Sequence, residues 1–190
     1  MRINSGIYWV SWANINAKNS KSLDDLASPF KENVTEFINA LKDAGASVRI
    51  NATRRSQKRA YLFHWSWLIA LGKIKPSQAA LETGVDINWN LGDDSSSVQA
   101  AKEIVNGFGL AVPPHSNVAP SLHSNHIIGK AIDMDITWTG TVNVAKKDGT
   151  KLNVHYTNNA RNNPELLLIG ESYGVYKLKT DKPHWSYDGR

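Results

Sequence analysis

Residues 121–138 read SLHSNHIIGKAIDMDITW, and the fold turns on how that stretch divides. From Lys130 onward the period is two: Ile132, Met134 and Ile136 alternate with Ala131, Asp133 and Asp135. That is the pattern of a strand with one face in a core. A slip of one residue would bury two carboxylates without partners, which is costly. The aspartate face therefore borders water or a cleft. His126 stands just before the strand, and Gly129 can supply the positive φ that swings its imidazole back over the sheet.

Upstream, Ser28-Pro29 reads as an N-cap followed by proline at the first helical position. Phe30, Val34, Phe37, Ile38 and Leu41 then predict a helix over 29–44 that stops near Gly45. A short strand follows over 47–52, with Val48, Ile50 and Ala52 on one face. A long helix is expected over 55–71, and Pro76-Ser77 opens a further helical stretch. Residues 83–97 are loop-like, and a helix over 95–107 turns Val98, Ala101 and Val105 inward. Downstream, 141–156 (TVNVAKKDGTKLNVHY) predicts a hairpin with a two-residue turn at Asp148-Gly149. Asn163-Pro164-Glu165 caps a helix running to about 173, and short strands are expected at 175–178 and 184–187. The expected fold class is α+β, with helices packed on a small, mainly antiparallel sheet. At 190 residues with no internal repeat, a single domain is expected, its core over 29–190 and residues 1–28 an extension without assigned role.

The net charge of +5 favours anionic partners. The densest basic cluster, RRSQKR at 54–59, reads as a solvated helix face. With no zinc-finger spacing and no ribonucleoprotein-type aromatic motif, nucleic acid is not an expected partner. The absence of cysteine excludes disulfides, a thiol nucleophile and cysteine-based metal sites. No apolar run approaches the roughly 20 residues of a membrane span. The first 20 residues lack the basic-then-apolar order of a secretory signal.

An imidazole and a carboxylate on one open strand face suit a zinc ion, which takes three protein ligands and leaves a fourth position for water. Residues 180–187, TDKPHWSY, supply a third candidate ligand in His184, with Asp181 three residues before it on a turn. A carboxylate beside a metal-activated water is what a metallohydrolase uses to take up and return a proton. On spacing alone a plainer alternative stands, in which His126 and His184 are hydrogen-bonded loop residues and Asp133 a solvated strand residue. His123 reads as a bystander, and Asp135, about 7 Å along the strand from Asp133, lies beside the site. His155 reads as an exposed strand residue and His64 as a packing one. Trp89 and Trp138 belong to the core or to the rim of a groove.

Residues 124–133, SNHIIGKAID, fit S-x-H-x-x-G-x-A-x-D without a gap. This resembles the signature of the D-alanyl-D-alanine carboxypeptidase family of zinc peptidases, which includes VanX- and VanY-type enzymes and phage L-alanyl-D-glutamate endopeptidase endolysins. The family's second signature is an acidic residue three positions before a histidine often flanked by tryptophan, and 181–185, DKPHW, is similar to it. The resemblance implies zinc ligands at His126, Asp133 and His184 and a catalytic base at Asp181. It also implies an arginine for the substrate carbonyl or oxyanion. In 51–56, NATRRS, that is Arg55, with Arg54 in reserve, although the Gly and Tyr of the family's S-G-Y-R-S context are missing. The function so implied is a monomeric, Zn2+-dependent peptidoglycan peptidase, cutting stem-peptide bonds next to D-amino acids as an endopeptidase or a D,D-carboxypeptidase. It would act in the periplasm or cell wall, reached through phage lysis or a secretion machine. The alternative is a non-catalytic cell-wall or protein binding module with a structural zinc site, as in the Hedgehog signalling domain, a relative by fold. An acid at Asp181 has no use in such a module. Residues 1–28 and 72–97 match nothing in the family pattern.

Overall fold

The computed structural model describes residues 5–157 and 162–190. In chain order the elements are α1 (Gly6–Asn16), α2 (Phe30–Asp43), β1 (Ser47–Ala52), α3 (Gln57–Ala70), α4 (Asp94–Phe108), β2 (Ala131–Thr137), β3 (Thr141–Ala145), β4 (Lys151–His155), α5 (Pro164–Ser172), β5 (Tyr176–Lys177) and β6 (His184–Ser186). The result is a mixture of helices and small antiparallel sheets, as the α+β expectation has it. Contacts divide the chain into two compact units, one of residues up to 18 with 55–124, the other of 19–54 with 125–190. Among the described residues, no helix is long and apolar enough to cross a membrane.

The first unit is helical. α1, α3 and α4 pack around Trp9, Ala13, Leu62, Trp67, Ala101 and Ile104, all buried. α1 lies within 1–28, where the sequence offered no assignment. Its residues, GIYWVSWANIN, are apolar almost all round, so no polar face marks the helix out. Its C-terminal carbonyls are taken by Arg59, whose Nε donates to Ala17 O at 2.7 Å and whose Nη2 donates to Ala13 O at 3.0 Å. A cation there also complements the helix dipole. Arg59 is therefore buried, and the 54–59 cluster is not the uniformly solvated face its composition suggests. Pro76 opens only a single 3-10 turn, Pro76–Gln78, and not a full helix.

The second unit carries the four-stranded sheet, in the order β1-β2-β6-β5 with every pair antiparallel. β2 has the alternation expected of it: Ile132, Met134 and Ile136 are at most 7% exposed, while Asp133 and Asp135 are half-buried on the other face. α2 packs on β1 and β3, and α5 on β4 and β5. The core joins Phe30, Phe37 and Leu41 of α2 to Ile132 and Met134 of β2 and to Trp185 of β6. The α2 cap differs by one residue from expectation, with Pro29 in the cap position and Ser28 Oγ donating to Glu32 Oε1 at 2.7 Å. Asn163 caps α5 as expected, its side chain accepting from Leu166 N at 2.9 Å. In the β3–β4 hairpin, Lys146 N donates to Thr150 O and Gly149 N to Lys146 O. The loop is thus three residues long, with Gly149 at φ 85° closing it, and not the two-residue turn read from Asp148-Gly149.

Gly129 has the positive φ read for it, 70°. Its carbonyl accepts from Ala27 N at 2.9 Å, and a Cβ at this position would lie 2.9 Å from that nitrogen and 3.1 Å from Asp25 O. Both backbone conformation and space demand glycine here. Gly129→Ala is expected to lower stability by about 2–3 kcal/mol, strain and clash combined. Gly140→Ala, at φ 63° with nothing within 4 Å, should cost about 1 kcal/mol. Urea unfolding of the two variants measures the difference.

Candidate metal centre

β2 and β6 pair so that Asp133 stands opposite His184. Residues 125–130 lead into β2 through a turn closed by Gly129 N to His126 O and Lys130 N to Asn125 O, which returns His126 toward the same strand face. The outcome is a triangle. His126 Nε2 lies 3.1 Å from Asp133 Oδ1 and 3.1 Å from His184 Nδ1, and His184 Nδ1 lies 3.2 Å from Asp133 Oδ1. Both imidazoles are buried, at 3% and 8% side-chain exposure, and the carboxylate is 17% exposed. Among the described residues this is the group of His, Asp and Glu side chains that can hold a metal ion.

The outward nitrogens decide what the inward ones offer. His126 Nδ1 lies 2.6 Å from Thr53 O, and His184 Nε2 lies 3.2 Å from Arg190 O. A carbonyl only accepts, so each of these nitrogens carries the proton and donates it. The facing nitrogens are then left with lone pairs directed at each other and at a carboxylate. Three electron-rich atoms about 3 Å apart repel unless a positive charge lies among them, either a proton or a metal ion. The donor set fits a metal. Burial alone would raise the Asp133 pKa; with a proton shared among the three facing atoms, hydrogen bonds and attraction from His126 and His184 outweigh it and hold the carboxyl well below the usual range.

Two supports for this geometry are backbone groups that no side-chain pattern encodes. Thr53 is fully buried just after β1, its N–H donating to Ser20 O at 2.8 Å, while Ser20 N donates to Arg54 O at 2.8 Å. This pairing aims the Thr53 carbonyl, helped by the ladder irregularity between Ile50 and Ala52 in β1. The third support is Lys177. Its Nζ donates to the carbonyl oxygens of Leu178, Asp181 and His184 at 2.8, 2.5 and 2.7 Å, tying together the segment between β5 and β6. Sequence reasoning missed all three, and only Lys177 was visible as a side chain at all.

Asp181 is exposed on that segment. Its N–H donates to Leu178 O at 3.2 Å and its C=O accepts from His184 N at 3.3 Å, so it lies on a turn closing onto a member of the triangle. Arg54 is exposed in the second unit, directly after Thr53. Arg55 belongs to the first unit, its guanidinium 5.3 Å from the centre of the Phe63 ring. Asp135 accepts from Arg49 Nη2 at 2.6 Å and Asn51 Nδ2 at 3.0 Å and takes no part in the triangle. His123 is exposed, His155 pairs with Thr141 on the hairpin surface, and His64 bonds Pro120 O. Trp89 and Trp138 are both buried. No protein-family model matches this chain, and neither does any curated protein.

Metal binding requires the two imidazoles neutral and the carboxylate ionised. Asp133, held low, stays ionised at every pH above about 4. Since every ligand atom must be free of its proton to hold a metal, retention is expected to fall on acidification. Equilibrium dialysis followed by metal analysis checks this. His126→Ala should lose the metal at every pH.

Proposed function

We propose that the chain is a zinc-dependent peptidoglycan peptidase of the D-alanyl-D-alanine carboxypeptidase type, with the fold of that family. The observation that carries this reading is the triangle of His126 Nε2, His184 Nδ1 and Asp133 Oδ1, built from the two motifs that resemble the family's signatures. Two imidazole nitrogens and one carboxylate oxygen suit zinc better than the hard cations, which prefer all-oxygen sites. Donors at 2.0–2.1 Å from a tetrahedral zinc stand about 3.3 Å apart, close to the separations of 3.1–3.2 Å found here. A zinc ion held by His126, Asp133 and His184 would supply polarisation of a scissile carbonyl and would bring the pKa of a water toward about 7.

The chain's own residues supply the rest. His126 and His184 would hold the ion, each oriented by an outward hydrogen bond to a backbone oxygen. Asp181 receives the proton of the attacking water and returns it to the leaving amine. Its turn, gathered by Lys177, keeps it in place without making it a ligand. An arginine supports the developing oxyanion, with Arg55 first and Arg54 second by alignment to the family pattern. The substrate is a stem-peptide bond next to a D-amino acid, cut by a monomer.

Mass spectrometry of purified sacculi digested with the zinc-loaded chain tests the reading. New peptide fragments are expected, and their masses distinguish endopeptidase from carboxypeptidase action. Asp181→Asn should keep its zinc while kcat falls by about 10²–10⁴. Wild-type turnover in that variant would remove Asp181 from its role, and an absence of fragments with stoichiometric zinc bound would favour the binding-module alternative. Arg55→Ala should lower kcat by about 10²–10³ with Arg54→Ala near wild type; the reverse result would transfer the role to Arg54.

A further inference from the structure

β6 covers only part of β2. Their ladder runs from Ala131 opposite Ser186 to Asp133 opposite His184, and Met134 N then donates to Pro183 O at 2.9 Å before the chain turns away. Backbone groups alternate in direction along an antiparallel strand, so Ile136 directs its N–H and C=O to the same side as Met134. Among the described residues no backbone group pairs with them there. A strand edge of this kind is a template for a further extended chain.

This edge opens into a cavity of about 500 Å³ whose lining includes Arg49, Asp135, Ile136, Leu166, Lys182 and Trp185. Its charge is not balanced. The Asp135 carboxylate is already engaged by Arg49 and Asn51. Lys182 is exposed, and Lys177, whose ammonium is bound by three carbonyls, also lines the cavity. Apolar walls, one donor–acceptor pair of a strand edge and a surplus of positive charge together suit a short peptide bearing a free carboxylate. Sequence position relates the cavity to the metal centre. Ile136 is three residues from Asp133 on β2, about 10 Å, or roughly three residues of extended substrate, and Lys182 directly follows Asp181.

We propose that this edge of β2 is a peptide subsite, in which one peptide group of the substrate pairs with the N–H and C=O of Ile136 and a substrate carboxylate is held by Lys182. The identity of the substrate as a peptidoglycan stem peptide rests on the peptidase reading; the subsite itself rests on the strand edge and its charge. A stem peptide is short, partly extended and carries free carboxylates, which suits the strand edge and the charge of the cavity.

The test uses binding, so that it stands apart from cleavage. The full ¹⁵N-labelled chain carrying Asp181→Asn, loaded with zinc, is titrated with a synthetic stem pentapeptide and with the same peptide amidated at its carboxyl groups. At saturation with the acidic peptide, hydrogen exchange at the Ile136 amide should slow by about tenfold or more, while that of Asp135, whose amide faces β1, stays unchanged. Adding Lys182→Glu should raise the Kd of the acidic peptide by about tenfold or more and leave that of the amidated peptide within about twofold. Unchanged exchange at Ile136, equal Kd values with and without Lys182→Glu, or no binding at all would each overturn the subsite. Cleavage of sacculi by the wild type with no protection of Ile136 would sink the subsite alone. Protection of Ile136 with no cleavage would sink the peptidase reading alone.

Discussion

One register of one strand carries the second unit. β2 must send Ile132, Met134 and Ile136 into the core while holding Asp133 beside two imidazoles, and a period of two allows both only in a single alignment. The same register places Ile132 opposite Trp185 and Asp133 opposite His184. A slip of one residue would expose three large side chains worth about 1.5–3 kcal/mol each. The loss would be comparable with the whole stability of an ordinary domain, roughly 5–15 kcal/mol. The core therefore sets the position of the carboxylate, and the site inherits its precision from packing that has no chemical role.

Electrostatics imposes the second demand. Inward lone pairs exist because outward protons are committed, to Thr53 O for His126 and to Arg190 O for His184. Each carbonyl is aimed by its own neighbourhood: Thr53 by its pairing with Ser20 beyond a ladder irregularity, and Arg190 by its N–H donating to Asp188 Oδ1 at 3.1 Å. Asn125, at the start of the turn to His126, donates to the same Asp188 oxygen and to Arg190 O. His126 is thus oriented from Thr53, early in the unit's chain, and His184 from Arg190, to whose O Asn125 also donates.

Much of this was legible from residue order because periodicity and punctuation act locally. The alternation in β2, the apolar stripe of α2, the Asn163 cap and the positive φ at Gly129 each depend on a few neighbouring residues. So does the choice of His126, Asp133 and His184, which the structure brings together as a group that could hold a metal, since they fall in two tight motifs. What escaped is what depends on distant chain. α1 is apolar on all sides and has no periodic signal. Arg59 is a surface cation by composition but a buried cap for carbonyls more than 40 positions earlier. The division into two units, with each drawing on two separated stretches, has no local marker either. The carbonyls of Thr53 and Arg190 belong to every residue alike, so no side-chain pattern could announce them.

The number of donors bears on what such a centre can do. A structural zinc site is closed by four protein ligands, whereas a catalytic one keeps a position for water or substrate. Among the described residues the triangle has three members. The remaining eight residues, MRIN at 1–4 and NNAR at 158–161, contain no histidine, cysteine, aspartate or glutamate, so no fourth ligand of the usual kinds can come from them. Arg190 O is already an acceptor for His184 Nε2, on the side of the ring away from the triangle. Of the three side chains that could hold a metal, the Asp133 carboxylate is the most exposed, at 17%, and marks where solvent reaches the group. The core holds the β2–β6 register independently of any ion, through Ile132 and Trp185.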